Sequence, residues 1–230
     1  YPVNNFFEEE YPKNQIYIHY TAGENAKGAI DFWNMRLGGR GTWGTCDVID
    51  RDGTIYEAFD SRFWAHHLGQ VENFNGRKPT SYLHRHSIGI EMVSWGHLTF
   101  DGEKYWSWTG KEVAASEVIC FEEPYRGKRY FQDFTTAQYE ALFERLNHFC
   151  DLYGIPKKDY SYGFGYLNEM PLLGIPGIYC HSMVTSRKYD CPPFPKLIGL
   201  LKALAVEGTS CCKNFSTQYA SHRHFKKRWK

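Results

Sequence analysis

Hydrophobic and polar positions follow two different periods along the chain, and together they predict an α/β fold. Short apolar runs rich in β-branched and aromatic residues predict four strands, at 15–20, 45–50, 54–59 and 87–93. Apolar residues at three- and four-residue spacing predict three helices, at 25–36, 136–153 and 194–206. Because no internal repeat or linker precedes Gly208, we expect one α/β domain over residues 1–207.

Turn and capping residues sharpen these boundaries. The pair Asp52-Gly53 lies between two predicted strands and indicates a β-hairpin. Thr135 and Gln138 have the spacing of a capping box at the start of the long helix, and Gly154 followed by Pro156 ends it.

The stretch from about 95 to 134 differs from the rest of the chain. It is rich in aromatic residues, including Trp106 and Trp108, and Asp101-Gly102 and Arg126-Gly127 indicate turns within it. It is longer than an ordinary connection needs, so we interpret it as an inserted hairpin or arm. The sequence leaves open whether it lines a substrate groove or packs against the body of the domain.

The net charge of the whole chain excludes few classes of function, and only the carboxyl-terminal residues have a distinctive charge. The net charge of +1 gives no reason to expect a nucleic-acid partner. Residues 208–230 carry six Lys or Arg and no Asp or Glu, which suits contact with polyanions such as teichoic acid, lipopolysaccharide or nucleic acid and is equally typical of a solvated tail.

The seven cysteines lack a C-x-x-C pair and are odd in number, so we expect mostly reduced thiols. No apolar run approaches eighteen residues, which predicts no transmembrane segment. The first ten residues lack the basic start and apolar stretch of a signal peptide.

Residues 179–193 concentrate the side chains that carry chemistry. A catalytic zinc ion takes three nitrogen, oxygen or sulfur ligands from the protein. His181 with Asp190 or Cys191 offers two of them, although a His and an Asp nine residues apart also suit a simple loop hydrogen bond. His19 is predicted at the carboxyl end of a strand, where α/β sheets place ligands, or else it is a hydrogen-bonded core residue.

Glu91 interrupts an otherwise apolar strand. Burying a carboxylate is costly unless it is paired or has a task, so Glu91 is a candidate general acid or base with a raised pKa, or it faces outward or pairs with an Arg. His66 and His67 are adjacent, and on an extended chain at most one of them would face a given pocket.

Six blocks, in this order, resemble the type-2 family of zinc-dependent N-acetylmuramoyl-L-alanine amidases, which includes phage lysozyme-type amidases and peptidoglycan recognition proteins. The blocks are Ile18–Gly23, Val48–Tyr56, Ala65–Gly69, Ser87–Glu91, Tyr153–Pro156 and His181–Asp190.

The resemblance implies a central mixed β-sheet flanked by helices, with one zinc ion at one end of the sheet. It makes His19 and His181 zinc ligands and places the third ligand on Asp190, two residues after Lys188. The family usually has Asp-Pro-Gly or Cys-Pro-Gly at this point, whereas this chain has Asp-Cys-Pro-Pro. Cys191 therefore stays open as the alternative third ligand.

The resemblance also assigns catalytic and substrate-binding roles. Glu91 is the expected general acid and base, and Lys188 is expected to stabilise the oxyanion. Thr45 stands where some members have a catalytic Tyr, His67 matches a histidine behind a ligand or beside the substrate, and Arg187 is placed to hold stem-peptide carboxylates.

The implied activity is hydrolysis of the amide between N-acetylmuramic acid and L-Ala, with peptidoglycan or muropeptides as partner. Its place of action is the bacterial cell wall, in the periplasm, outside the cell or after release by a phage. Autolysin, phage enzyme and delivered effector stay open. The alternatives are a non-catalytic peptidoglycan-binding protein of the same fold and a partner-binding protein that uses the basic tail.

Overall fold

A computed structural model describes residues 6–35 and 42–209, and these form two β-sheets and five α-helices. In chain order the elements are β1 (Gln15–Tyr20), α1 (Ala26–Met35), β2 (Asp47–Ile49), β3 (Ile55–Glu57), α2 (Thr80–Arg85), β4 (Ser87–Met92), β5 (His97–Phe100), β6 (Tyr105–Trp106), β7 (Glu112–Val113), β8 (Val118–Tyr125), β9 (Lys128–Gln132), α3 (Thr136–Tyr153), α4 (Glu169–Leu172), β10 (Gly177–Cys180) and α5 (Pro195–Thr209).

The main sheet has the strand order β10-β1-β4-β2-β3 and is mixed, as expected. Its first four strands run parallel, and β3 pairs antiparallel with β2 across the predicted hairpin. Gly53 in this hairpin has a φ of 85°, and a Cβ there would lie 2.8 Å from the carbonyl oxygen of Ala137 in α3. Glycine is therefore required both by the backbone conformation and by the close approach of the helix.

Strand register brings one end of the sheet together. In β1 the residues from Gln15 to His19 are buried, as is typical of a strand inside a parallel sheet. His19 pairs with Glu91 of β4 on one side, and Ile18 pairs with Cys180 of β10 on the other. The carboxyl ends of three neighbouring strands thus meet at one edge, where His181 follows directly after β10.

Helix α3 packs against the main sheet and is bonded to β2 and to the end of β4. Its capping box is present in both directions between Thr135 and Gln138, and Gly154 ends it in the left-handed conformation, as predicted. The Gln138 side chain also donates to the carbonyls of Ile49 and Val93. A buried ion pair between Arg145 of this helix and Asp47 of β2 adds a second fastening.

The aromatic-rich insertion forms a second, antiparallel sheet with the strand order β7-β6-β5-β9-β8. It is thus more than the hairpin or arm expected from the sequence. Its inner side packs on the domain, where the buried ring of Phe131 contacts Phe194 at the start of α5. At its rim, the indole N–H of Trp108 donates to the carbonyl of Ala22, 2.9 Å away. The insertion therefore both packs on the body and reaches the end of the sheet where His19 lies.

Several predicted boundaries shift. The strands expected at 45–50 and 54–59 shorten to β2 and β3, and the final helix α5 extends three residues beyond Val206. Residues 210–230, which hold nearly all of the predicted basic tail, lie outside the described residues. Among the helices of the described ranges, none combines the length and apolar character needed to cross a bilayer.

Candidate functional site

Three polar side chains converge at the carboxyl ends of β1 and β10. His19 Nδ1 lies 3.2 Å from His181 Nδ1 and 3.0 Å from Asp190 Oδ2, and the last two atoms are 3.1 Å apart. All three residues are buried. Strand pairing places the two histidines side by side. The amide N–H of Ser182 donates to the carbonyl of Asp190 at 2.7 Å, and this bond holds Asp190, at the end of the loop that follows His181, beside the two histidines.

Hydrogen bonds on the far side of each imidazole fix which nitrogen faces the cluster. His181 Nε2 lies 2.7 Å from the carbonyl oxygen of Leu68, which can only accept, so Nε2 carries the proton. In the neutral imidazole, which is the form that binds metal ions, the lone pair of His181 Nδ1 is then directed at the cluster.

A longer relay fixes His19 in the same way. The Ser87 hydroxyl donates to the carbonyl of Leu83 at 2.5 Å and therefore accepts from His67 Nε2 at 2.7 Å. His67 Nδ1, lacking a proton, then accepts from His19 Nε2 at 3.0 Å. The Nδ1 lone pair of His19 also faces the cluster.

These three atoms fit a zinc ion. Tetrahedral zinc with bonds of about 2.0–2.1 Å has ligand atoms about 3.3 Å apart, close to the distances found here. Burial lowers the pKa of His19 to about 4, so its imidazole is neutral. Burial raises the pKa of Asp190, but charge and hydrogen bonds from the two histidines, which a bound metal ion would replace at the same nitrogen atoms, hold it well below its usual range, so Asp190 is ionised. Two neutral imidazoles and a carboxylate are a donor set that zinc takes. The orientation of each imidazole is fixed by a hydrogen bond at its other nitrogen, from His19 to His67 and from His181 to the Leu68 carbonyl.

Cys191 directly follows Asp190, but its thiol is not part of this cluster. Its Sγ is directed at the carbonyl of Ile18, 3.7 Å away, and burial raises the pKa of the thiol well above its ordinary value. Among the described residues, the group of ligand atoms close enough to share an ion is that of His19, His181 and Asp190, and the Cys191 thiol, which contacts the strand backbone, is not part of it.

Glu91 faces the cavity beside the cluster, one strand away from His19. Its Oε2 is buried and has no hydrogen-bond partner among the described residues. Burial raises the pKa of Glu91 to about 8; the charge of Asp190 adds to this effect and that of Lys188 opposes it. Of the sequence alternatives, a half-buried carboxylate with one buried oxygen that has no partner is the one found, and such a group is typical of a functional site.

The remaining predicted residues occupy different places. Lys188 is exposed on the loop between His181 and Asp190 and lines the cavity. Arg187 donates to the side chain of Gln70 at 2.7 Å, outside the cavity lining. Thr45 is buried in the cavity wall, and its hydroxyl donates to the carbonyl of Asp47 at 3.0 Å.

The two adjacent histidines do not follow the alternation expected of an extended chain. Both His66 and His67 contribute to the cavity wall. The physical reason is that residues 63–69 form bends and isolated bridges rather than a strand, so successive side chains need not face opposite ways. His67 packs so closely that a Cβ on Gly89 of β4 would lie 3.2 Å from its Nδ1 and 2.6 Å from the Thr45 methyl group.

The cavity over the cluster has a volume of about 500 Å³, and much of its wall is aromatic. The aromatic residues that line it are Tyr20, Phe32, Trp33, Trp43, Trp95, Trp108 and Tyr189. Two of them, Trp95 and Trp108, belong to the inserted stretch predicted at 95–134. Sequence analysis did not find this wall: Trp33, for example, fits the apolar stripe of a helix, and nothing local distinguishes it from a core residue.

Ser87 and the carbonyl of Leu68 were missed as well. Each acts by orienting a histidine that is distant in the chain, so neither leaves a local pattern in the sequence.

A comparison with models of protein families finds a match over most of the chain. A family model described as N-acetylmuramoyl-L-alanine amidase matches residues 9–193. A solved structure described as the crystal structure of a selenomethionine AmpD derivative is similar at 17% identity, covering 89% of this chain and 92% of its own, with a TM-score of 0.45. No protein with a curated description matches the chain.

Proposed function

Because the chain belongs to the N-acetylmuramoyl-L-alanine amidase family, we propose that it is a zinc-dependent hydrolase of the amide bond between N-acetylmuramic acid and the L-Ala of the peptidoglycan stem. The observation that carries the proposal is the convergence of two imidazole lone pairs and a carboxylate oxygen within 3.0–3.2 Å of one another. The half-buried carboxylate of Glu91 on the neighbouring strand supplies the second requirement of the chemistry.

His19, His181 and Asp190 would hold one zinc ion. When bound, zinc lowers the pKa of a water molecule to roughly 7 and polarises the substrate carbonyl. The relay behind His19 and the Leu68 carbonyl behind His181 keep both imidazoles in the binding tautomer.

Glu91 carries the proton through the reaction. It accepts a proton from the attacking water as the C–O bond forms, and it returns this proton to the amide nitrogen as the C–N bond breaks. The products are the carboxylic acid of the lactyl group and the free amine of L-Ala, so atoms and charge balance. The Thr45 hydroxyl is bonded to a backbone carbonyl, and we therefore assign the proton transfer to Glu91 alone.

Lys188 stabilises the oxyanion. Its ammonium is exposed at the cavity, where a positive charge close to the developing negative oxygen lowers the barrier. Arg187, whose exposed guanidinium lies on the outer side of the same loop, is proposed to contact stem-peptide carboxylates beyond the scissile bond.

We further propose that the protein acts on peptidoglycan or muropeptides at the bacterial cell wall, and that the basic tail contacts anionic wall polymers. A non-catalytic peptidoglycan-binding protein is the second candidate, and the two are separated by product formation.

The test is release of free N-terminal Ala from purified sacculi, together with loss of turbidity. We expect both with the zinc-loaded protein, neither after chelator treatment, and both again after zinc is restored. A protein that holds one zinc ion per chain and binds sacculi but releases no Ala would overturn the enzymatic proposal in favour of the binding protein.

The relay behind His19 predicts that His67→Phe weakens zinc binding by about 10- to 100-fold. Phenylalanine keeps the ring volume but cannot accept the proton of His19 Nε2, so the binding tautomer is no longer enforced. The measurement is a zinc competition titration. His66→Phe is the matched control, because His66 lies beside His67 but packs on His84 rather than on His19. Equal zinc affinity in the two variants would contradict the relay.

The aromatic wall predicts that Trp108→Ala raises KM for sacculi by about tenfold with little change in kcat, which corresponds to about 1.4 kcal/mol of contact energy. Trp108 is exposed at the rim, held by its bond to Ala22, and offers its face to a sugar ring. Trp106→Ala is the matched control, since Trp106 lies in the same sheet but its indole N–H is bonded to Asp101. If both variants bind sacculi like the wild type, the insertion is not a substrate surface.

A further inference from the structure

The turn between β8 and β9 carries an arginine where the backbone prefers a different residue. Arg126 and Gly127 form this two-residue turn with φ values of 49° and 79°. Such a turn requires a left-handed conformation at both positions and favours Asn-Gly, because a side chain with a Cβ is strained there. An arginine at the first position is a strained choice, and this points to a role for its side chain.

The guanidinium of Arg126 is bonded to three backbone carbonyls of a single loop. Nη1 donates to Thr185 at 2.8 Å and to Lys188 at 2.7 Å, and Nη2 donates to Ser182 at 2.6 Å. Three of the five guanidinium N–H groups are thereby used. The guanidinium also lies over the ring of Tyr125, 5.7 Å from the ring centre.

This loop joins His181 to Asp190 and carries Lys188 at its exposed crest. After the short turn at 181–183 it has no regular structure, so its own backbone does not satisfy these carbonyls. On the opposite side it is anchored by Glu72, which accepts from the amide and hydroxyl of Ser186 at 2.9 and 2.5 Å. The loop is therefore held between Glu72 and the tip of the inserted sheet.

We propose that Arg126 is a positioning residue through which the inserted sheet fixes the Lys188 loop in its catalytic arrangement; this inference rests on the oxyanion role proposed for Lys188. The planar guanidinium binds three carbonyls of the loop at once. It therefore fixes the position of the loop backbone and the direction in which the Lys188 side chain projects from it. Zinc binding does not depend on this contact, because the bond between Ser182 and Asp190 closes the base of the loop separately.

The sharpest variant is Arg126→Asn, because asparagine suits the turn and leaves the hairpin intact while removing the clamp. We expect kcat to fall by about 10- to 100-fold with KM and zinc content nearly unchanged, as a misplaced catalytic group predicts. Arg129→Ala is the matched control: Arg129 is an exposed arginine of the same hairpin, on β9.

Two further measurements separate positioning from a structural role. In a Lys188→Ala background, Arg126→Asn should lower kcat little further, because the clamp then has no catalytic group to place. Amide hydrogen exchange over residues 182–189 should become faster in Arg126→Asn but not in Arg129→Ala, and this holds even in a protein without activity. Additive losses in the double variant, or unchanged exchange and kcat in Arg126→Asn, would overturn the inference. An inactive wild type with faster exchange in Arg126→Asn would count against the proposed function while leaving the clamp in place.

Discussion

Replacing Glu91 with Gln is expected to lower kcat by about 10²- to 10⁴-fold while one zinc ion per chain is retained. Glutamine has the same shape and fills the same half-buried place on β4, but its amide can neither accept the proton of the attacking water nor return it to the leaving nitrogen. Zinc retention is expected because Glu91 is not among the three atoms that form the cluster. The measurement is Ala release from sacculi beside metal analysis of the same sample.

The exposed Glu112, which pairs with Lys104 on the second sheet, supplies the control Glu112→Gln. It removes a carboxylate without touching the cavity and should leave turnover unchanged. Full activity in Glu91→Gln would remove Glu91 from the mechanism. Loss of zinc from that variant would instead make Glu91 part of the metal site.

The same variant has a readout that does not depend on activity. Burial raises the pKa of Glu91 in the folded protein to about 8 from an ordinary value of 4.5. The folded state therefore binds this proton more tightly, and the stability it contributes is complete below pH 4.5 and is lost as the pH rises through 8. In chelator-treated protein, Glu91→Gln should gain on the order of 4 kcal/mol of unfolding free energy, relative to the wild type, between pH 4.5 and 8. A pH-independent difference between the two proteins would contradict this origin of the pKa.

The sequence predicted the parts of the fold that depend on local patterns. Strands β1 and β4 are continuous apolar runs, and α3 carries both a capping box and a glycine stop, so each was predicted within one or two residues. Strand β10 was missed because it has four residues and follows an irregular segment. Its place is set by pairing with β1, more than 150 residues earlier, and no local pattern encodes such a contact.

The second sheet was missed for a related reason. Strands β6 and β7 have two residues each, and in β8 exposed and half-buried positions do not alternate regularly. Its stability comes from cross-strand pairs and from packing on Phe194, which only the folded chain brings together.

Candidate site residues were predictable where they break a pattern. His19 and Glu91 are polar groups inside apolar strands, which costs free energy unless the group has a task, and this cost made them visible. Ser87 and Trp33 fit the patterns around them and act only through tertiary contacts. What the sequence could not supply was therefore the orientation of the ligands and the walls of the cavity.

Asp190→Ala is expected to lose zinc almost completely, whereas Cys191→Ala should keep one zinc ion and most of the activity. The two residues are adjacent and both buried, so they form a matched pair that differs in the direction of the side chain. Asp190 contributes the only charged atom of the cluster, and without it two neutral imidazoles would have to hold the ion. Cys191 contacts the Ile18 carbonyl instead, and its loss creates only a small cavity.

Metal analysis after dialysis measures the difference, and Asp190→Asn adds a variant of nearly unchanged shape in case the alanine variant fails to fold. Cobalt substitution tests the same point in the wild-type protein, because a thiolate ligand gives a strong sulfur-to-cobalt charge-transfer band that nitrogen and oxygen ligands lack. We expect no such band. Its presence, or zinc loss from Cys191→Ala with retention in Asp190→Ala, would require the loop to rearrange so that the thiol leaves the Ile18 carbonyl, and would make sulfur the third ligand. Since the bond between Ser182 and Asp190 holds the loop in its present register, that rearrangement would also break the closure on which the geometry of His181 depends.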